Sequence, residues 1–592
     1  MIRNHIKLAW RNLVQNRAYS AINITGLAIG LAVCMLIMLY VGHESSYDRF
    51  HRDADKIYWM QGKIKMGSDS IFVGAMSFAS GPLVKQEEPA VESFMRYKQQ
   101  NSGTIIQNPA VPDRKFTEEK FLFADSNFFS FYSFPLIVGN KLQVLKDPFT
   151  VVITQQAARK YFGDEDPTGK IIRYNNEHDF RVTGVAGNQP SNSTIGFDFI
   201  ASTSSLPLIA EEKKDIGSQL VENGNFKTSF RLKNKGDAPK LEARMLQLFL
   251  RGAGSEEENK FSFHATPLIS THIHANYGDF SGIKYMKVFP LIAGLVLLLA
   301  MINYMSLSTA RATARAREVG VRKVLGAART SIAGQFFVES ALYTTIAFAL
   351  AFVVCALFQP YFFGFLQINV DHSFLYNPGI LISFAGLYVA TTLLAATYPS
   401  LLLSAGKPVK ALYGKLNRNS GAPGVRRAFT VLQFTVSVVL IICGLVMNRQ
   451  IHYLRYAETG VDRENVVMVP FSKTLGKHYA AFRQEIASLP GIQQTATSQV
   501  AMYKGNDIMG VNPKNGKDMV FLPSLSVDRH FMSMLGLEWK IAPADPLYFN
   551  NRNTVILNET AVELLNLGSA PLNEKIDDTY TVALYGDRKS VV

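Results

Sequence analysis

Cysteine is scarce: the 592 residues hold three, Cys34, Cys355 and Cys443, each inside an apolar run. The polar stretches contain none, which excludes a disulfide framework there. An isolated cysteine in an apolar helix serves as a small hydrophobe. A phosphate-cradling loop is also missing. Such a loop needs GxxxxGK followed by Ser or Thr, because backbone N–H groups and the lysine hold the phosphates. Every Gly-Lys pair, at Gly62, Gly169, Gly406, Gly414, Gly476 and Gly516, precedes some other residue type. An ATPase site within these residues is therefore not expected. No nucleophile–base constellation survives inspection, so the chain is not expected to be an enzyme. The apolar runs also lack the embedded charges of a proton-coupled carrier.

What is present points to a bilayer. Hydrophobic residues make up 48% of the chain, and the mean hydropathy is +0.07. That balance is too apolar for an ordinary soluble enzyme and too polar for a mostly lipid-embedded protein. About 20 apolar residues in helical form cross a bilayer core, and five runs qualify: Ala21–Val41, Val288–Leu307, Phe336–Leu357, Ile380–Leu403 and Phe429–Met447. The first is too long for a signal peptide and lacks a small-residue cleavage site, so it reads as a retained anchor.

Acid is nearly absent from three short segments beside these runs. Residues 1–20, 308–332 and 404–428 hold 16 of the 61 basic residues and one of the 47 acidic residues, Glu318. The remaining 45 basic and 46 acidic residues nearly cancel. The whole surplus thus flanks spans, which predicts that all three segments face the cytoplasm. The near-neutral remainder argues against a nucleic-acid partner.

The expected organisation is an amphipathic cytoplasmic N-terminal helix (1–20), span 1 (21–42) and an exported domain (43–285). A three-span region (286–404) with a basic turn at 308–332 follows. A basic linker (405–428), span 5 (429–447) and a second exported domain (448–592) complete it. The fold class is an α-helical membrane protein carrying large mixed α/β domains. Thr150–Thr154 and Phe180–Val185 are apolar, β-branched runs that predict strands. Gln155–Phe162, closed by Gly163, predicts a short helix. Lys240–Phe249, with Leu241, Met245 and Leu248 on one face, predicts another.

An internal duplication of a span-plus-domain unit is visible. DSNFFSFYSFPL (125–136) is echoed by DRHFMSMLGL (528–537), and TVVITQQAARKYFGDEDPTGKII (150–172) by TVILNETAVELLNLGSAPLNEKI (554–576). The offsets are 403 and 404 residues, so about one indel separates the pairs. The first unit runs on into three more spans, whereas the second breaks off inside its domain. The chain is therefore expected to be a C-terminally truncated fragment of a longer protein. Its last residues, DRKSVV, match the translation of a sequencing-adapter read.

Three other features bear on function. His272 and His274, at i and i+2, would share a strand face, but no carboxylate or cysteine follows at metal-ligand spacing, so a plain surface strand is expected. Glu339 falls near the cytoplasmic end of span 3, an interfacial position. The Phe-rich stretch 121–134 is expected to be domain core rather than a substrate patch.

The segment STARATARAREVGVRKVLGAARTSIAGQFFVES (308–340) has helix-favouring composition interrupted by Gly320 and Gly326. Val319, Lys323 and Ala327 form one stripe, and Val321, Val324 and Leu325 supply apolar surface. Two uses fit a basic amphipathic segment between spans: lying on anionic headgroups, or docking in a partner's groove. Here a resemblance helps. REVGVRKVLGA (317–327) resembles the coupling-helix signature of MacB/FtsX-type ABC transporter permeases. KLAWRNLVQNRAYSAINITGLAIGLA (7–32), YDRFHRDADKIY (47–58) and PLISTHIHANYG (267–278) are similar to that family in the same order, the closest likeness being its duplicated eight-span form.

The resemblance implies a non-catalytic permease in the bacterial inner membrane with its N-terminus cytoplasmic and its large domains periplasmic. It implies a cytoplasmic ABC ATPase dimer as partner, with ATP and Mg held there and no cofactor in this chain. A periplasmic adaptor and an outer-membrane channel are further partners it admits. Arg317, Glu318, Val319, Gly320, Arg322, Lys323, Leu325 and Gly326 would form the ATPase-coupling helix. The function implied is export or release of a periplasmic-side substrate: a peptide, a drug-like molecule or a lipoprotein. The alternative is an FtsX-like regulator of a periplasmic cell-wall hydrolase.

Overall fold

The computed structural model describes residues 2–66, 69–100, 103–221, 224–254, 260–274, 281–314, 321–322, 324–405 and 422–457, and, further on, 465–469, 478–499, 507–511, 520–537, 539–541, 554–567, 576 and 581–586. It divides into two compact units: Met1–Ala54, Gln189–Ile195 and Leu268–Ile451 form one, and Asp55–Asn188, Gly196–Pro267 and His452–Val592 the other.

The first unit is helical. Each expected apolar run lies within one long helix: Arg17–Ser45, Ser281–Ala314, Arg329–Phe365, Pro378–Ala405 and Ala422–Tyr456, numbered here spans 1 to 5. All five are long and apolar enough to cross a membrane. At ~1.5 Å per residue, the 29 residues of span 1 reach ~43 Å, beyond a ~30 Å hydrocarbon core. The helix Ile2–Gln15 precedes it.

Span 1 packs against spans 2 and 3, and span 3 against span 4. Leu27, Leu31, Met35 and Leu39 of span 1 and Ala347, Ala351 and Cys355 of span 3 form the centre of this core. Gly26 and Gly30 allow close approach to span 2: a Cβ on Gly30 would lie 2.6 Å from the Ala300 Cβ. Small residues four apart let helix backbones meet where no water drives association. Ser20 and Tyr343 share a buried hydrogen bond of 2.8 Å between spans 1 and 3. Span 5 differs, with Val438, Val439, Ile441, Ile442 and Leu445 all exposed.

The second unit contains a mixed sheet. Its first strands are β1 (Ile57–Met66), β2 (Asp69–Val73), β3 (Val91–Gln99), β4 (Thr104–Asn108), β5 (Val111–Glu118), β6 (Phe121–Ala124) and β7 (Leu136–Val138). The others are β8 (Thr150–Thr154), β9 (Ile171–Tyr174), β10 (His178–Ala186), β11 (Phe199–Ser202), β12 (Lys227–Leu232) and β13 (Phe261–Pro267). The order is β13-β1-β12-β3-β6-β11-β8-β10-β9-β4-β5, with β2 on β1 and β7 on β10. β8 follows the expected strand and is buried at all five positions.

The helix Gln155–Phe162 then starts because the Thr154 hydroxyl accepts from the Ala157 N–H (3.2 Å), and it ends at Gly163, whose φ is +67°. Its Tyr161 and Phe162 pack on Phe121, Phe123, Val151, Ile153 and Phe199. Each such fully buried side chain contributes about 1.5–3 kcal/mol. The Phe-rich stretch is core, as expected: Phe121, Phe123, Phe128, Phe129, Phe131 and Phe134 are buried. The helix Ala238–Ala253 buries Leu241, Met245 and Leu248, one stripe at helical spacing.

The C-terminal part holds the hairpin β14 (Asp507–Val511) and β15 (Val520–Ser524) and a sheet of β16 (Trp539–Ile541), β18 (Thr581–Gly586) and β17 (Thr554–Asn558). Several details of the first domain recur there. The Asp125 N–H donates to Arg96 O and its carboxylate accepts from the Arg96 N–H, and Asp528 makes the same two bonds with Thr497. Asn558 caps the helix Glu559–Leu564 by accepting from the Ala561 N–H (2.9 Å), as Thr154 does for Ala157. β8 pairs in parallel with β10, with a bulge between Val182 and Gly184; β17 pairs in parallel with β18, with an irregularity opposite Val555/Ile556, between Val582 and Leu584.

One expectation is overturned. His272 and His274 do not lie on a strand: they follow the short helix Leu268–Thr271 in a turn, where Ser270 O accepts from both the Ile273 and His274 N–H groups. The hydroxyl of Thr271 turns back onto Leu268 O (2.6 Å), which favours a helical turn over an extended strand.

Candidate functional site

Two places in the helical unit hold the chemistry expected of a coupled membrane device. The first is the turn between spans 2 and 3. Arg317, Glu318, Val319, Gly320 and Lys323 lie outside the described residues. Val321, Arg322 and Val324 are helical, and the chain then turns at Leu325 and Gly326. The Leu325 N–H returns to Val321 O (3.0 Å) and the Ala327 N–H to Arg322 O (3.0 Å), with Gly326 at φ +92°. This is a helix end closed by a left-handed glycine, which any side chain would strain. Arg322 Nη1 donates to Gln335 Oε1 of span 3 (2.8 Å), fixing the turn to the span. Val321, Val324 and Leu325 are exposed, Leu325 by 81%. The arrangement is an apolar cluster beside a cation. Glu339 is half-buried, ten residues into the span 3 helix.

The second place is the C-terminal end of span 1. Here the heptapeptide 189–195, which lies between β10 and β11, is bonded to the end of span 1 with the turn after it and to the loop between spans 3 and 4. Ser191 and Asp371, in the loop between spans 3 and 4, pair reciprocally: the Ser191 N–H donates to Asp371 Oδ2 (2.9 Å), and the Asp371 N–H to Ser191 Oγ (3.1 Å). Asn192 Nδ2 donates to Ser46 O (3.1 Å) and Oγ (2.9 Å). Asp48 accepts from the Thr194 N–H (3.0 Å) and from its hydroxyl, while the Asp48 N–H donates to Asn192 O (3.0 Å).

A proton-bearing group adjoins this strap. Glu44 Oε2 lies 2.8 Å from His272 Nε2, and Glu44 Oε1 lies 3.4 Å from His43 Nδ1. His43 Nε2 reaches Ser191 Oγ at 3.2 Å. The Tyr47 ring stacks on His272 with centroids 3.4 Å apart. Burial pushes the Asp48 carboxyl above its ordinary value, against the opposing bonds from Thr194. Burial likewise pushes His51 down to about 4. Sequence reasoning missed this strap. Its only signal was the polar run NQPSNST (188–194) between two apolar strands.

In the α/β unit, Arg96 and Asp125 form a buried bidentate pair, with Nε and Nη2 at 2.9 and 3.0 Å from the carboxylate. A cleft of ≈ 390 Å³ opens beside it, with Lys85, Lys146, Ser202, Thr203 and Ser204 in its wall. The Arg96 guanidinium is committed to Asp125 and to Phe78 O, so it fixes the wall.

The comparisons with known proteins agree with this layout. Residues 20–248 match the family model described as MacB-like periplasmic core domain, and residues 290–408 match FtsX-like permease C-terminal. The chain is 20% identical over 366 residues to an uncharacterized ABC transporter permease, YknZ, of Bacillus subtilis (strain 168), covering 58% of this chain and 82% of that protein. It is 24% identical over 366 residues to the pyoverdine export ATP-binding/permease protein PvdT of Pseudomonas syringae pv. tomato, covering 60% of this chain and 51% of that protein. Over 192 residues it is 24% identical to the macrolide export ATP-binding/permease protein MacB of Bdellovibrio bacteriovorus, covering 32% of this chain and 28% of that protein.

Among solved structures, a permease-protein domain from Porphyromonas gingivalis matches 37% of this chain and 91% of its own, at 20% identity and a TM-score of 0.32. The periplasmic region of MacB from Actinobacillus actinomycetemcomitans matches 37% and 94%, at 16% identity and a TM-score of 0.26. With the MacB-like periplasmic core model matched before the FtsX-like permease model, and helices long and apolar enough to cross a membrane in both matched regions, the chain has the domain order of a MacB/FtsX-type ABC transporter permease.

Proposed function

We propose that this chain is a permease subunit that passes the ATP-driven motion of a separate cytoplasmic ATPase pair to its α/β domain, exporting or releasing a substrate on the periplasmic side of a bacterial inner membrane. The observation that carries the reading is the strap 189–195. It is bonded to the end of span 1 and to the loop between spans 3 and 4, and it continues by chain at both ends into β10 and β11. A displacement of those spans pulls on two central strands. At the opposite end of span 2, Val321, Val324 and Leu325 beside Arg322 offer the apolar and cationic surface that an ATPase groove would take. Arg317, Glu318 and Lys323 join them in this role. The substrate class is a peptide, a drug-like molecule or a lipoprotein. A periplasmic adaptor and an outer-membrane channel are the partners to look for.

We also read the chain as a duplicated span-plus-domain unit. The supporting observations are the matching Asp125 and Asp528 knots, the matching Thr154 and Asn558 caps, and a register break two pairs into both parallel ladders.

The test is charge reversal, Arg317→Glu with Arg322→Glu, in the full chain with its ATPase. Transport and stimulated ATP hydrolysis should fall at least tenfold, with the melting temperature within about 2 °C of the parent. Unchanged transport together with unchanged ATPase co-purification refutes the reading.

A further inference from the structure

Glu177, His178 and Glu211 take no part in the strap, the coupling turn or the cleft, yet the structure brings them together. One ligand atom from each, two carboxylate oxygens and an imidazole nitrogen, all lie within 4.8 Å of one another. Glu177 and His178 are neighbours in sequence, and the fold brings Glu211, more than thirty residues on, to them.

Their backbones are held. Glu177 and His178 leave the β9–β10 turn, where Asn175 and Asn176 sit at φ +51° and +63° and the Glu177 N–H closes on Tyr174 O (3.0 Å). Two successive left-handed residues make the tight hairpin turn that asparagine tolerates. The turn is tied to β4: the Asn175 N–H donates to Ile105 O (2.8 Å), and Asn175 Oδ1 accepts from the Ile105 N–H (3.0 Å). The His178 ring lies between Phe149, with centroids 6.1 Å apart, and Tyr174, at 6.5 Å. Glu211 is held by its neighbours. Ile209 is fully buried, and its carbonyl accepts from the Glu212 and Lys213 N–H groups, both at 3.0 Å. The Glu212 carboxylate is bonded to Lys98 and to Gln100.

We propose that Glu177, His178 and Glu211 bind one divalent transition-metal ion, with zinc the probe of choice. Two carboxylates and a neutral imidazole carry a charge of −2, which one such ion balances. The set is like the His-and-carboxylate sites that zinc takes, with a further position open to water. Bonds of about 2.0–2.2 Å need the donor atoms roughly 3.3 Å apart. The two glutamates are exposed, and on binding their side chains would have to turn inward to reach that spacing. An imidazole donor disfavours calcium and magnesium, which take oxygen. Bound there, the ion would clip the β9–β10 hairpin to the 209–215 segment on the outer surface of the domain.

The test uses the tag-free full chain in detergent, titrated with zinc against a chromophoric chelator. The parent should bind one zinc per chain with micromolar or tighter affinity, in competition with manganese and not with magnesium. His178→Ala and Glu211→Gln should each weaken binding at least tenfold, with metal-free melting unchanged for Glu211→Gln. Glu165→Gln, a surface glutamate away from the cluster, should bind as the parent does. X-ray absorption should report mixed nitrogen and oxygen ligation with no sulfur. Absence of saturable binding, or binding unchanged in the His178→Ala, Glu211→Gln double variant, overturns the proposal.

Discussion

Asp48 is the residue whose replacement tests the strap most sharply. It follows span 1, is fully buried, and stands at φ +57°, in the left-handed region. Its carboxylate holds both the N–H and the hydroxyl of Thr194. Alanine removes both acceptors. A buried donor left unpaired costs about 1–3 kcal/mol, and a β-carbon without a local polar group costs roughly 1–2 kcal/mol at that φ. Allowing for water reaching one of the two donors, Asp48→Ala should destabilise closure of the strap by about 3 kcal/mol. At ~1.4 kcal/mol per decade, this raises the open population on the order of a hundredfold.

Asparagine behaves differently. It tolerates the left-handed backbone, keeps an oxygen for the Thr194 N–H and replaces a charge that burial already disfavours. Asp48→Asn should therefore cost less than about 1 kcal/mol. Amide hydrogen exchange of the peptide covering 189–195, measured in the full-length protein in detergent, separates the two variants. The central strand β8 serves as the internal reference. Exchange in Asp48→Ala equal to that of the parent, or exchange in Asp48→Asn as fast as in Asp48→Ala, would show that the carboxylate does not hold the strap.

Other outcomes follow from packing and charge. Gly30→Ala should lower the melting temperature although alanine favours helix, because its methyl would meet Ala300 at 2.6 Å and overpacking costs about 1–3 kcal/mol; Gly294→Ala, with nothing within 4 Å, should be neutral or stabilising. His51 titrates near 4 when folded and near 6.5 when unfolded, so its contribution is complete above pH 6.5 and is lost as pH falls toward 4. Stability should drop by about 2 kcal/mol between pH 7 and pH 5, and His51→Phe should remove that slope. Asp48, 3.9 Å from the ring, acts with the opposite sign because its own value is raised. Asp125→Ala should destabilise the α/β domain by about 3–5 kcal/mol in denaturant melts, since it strands a buried guanidinium.

The fold was legible wherever burial is periodic. Thr150–Thr154 alternates nothing, because both faces are covered, and its β-branched run still identified the strand. Gln155–Phe162 carried its own end signal in Gly163. The spans were found by length, but their ends extend beyond the apolar runs, since helix continues through polar residues such as Arg17 and Ser45. Hydropathy divides the chain where lipid would stop. Contacts group Met1–Ala54, Gln189–Ile195 and Leu268–Ile451 together, because polar residues past that edge bond to the span ends. His272 was weighed for metal on a strand and instead faces Glu44 from a turn. The strap gave no comparable signal. Thr194 finds its partner 146 residues away and Ser191 finds Asp371 180 residues away, and no local period encodes such pairs.

The proposed duplication would limit what one half says about the other. Main-chain features carry over: an aspartate before a short helix bonds to the main chain of an upstream residue, Arg96 or Thr497, a polar cap starts the next helix, and a register break interrupts the parallel ladder at the same depth. The side chains around them do not. Where Asp125 takes the Arg96 guanidinium, Asp528 takes the hydroxyls of Thr497 and Tyr479. A guanidinium pair at one carboxylate and a hydroxyl network at the other set different local fields. On the proposed duplication, the two halves share a main-chain plan and differ in the groups that meet the corresponding carboxylate, a guanidinium at Asp125 and two hydroxyls at Asp528.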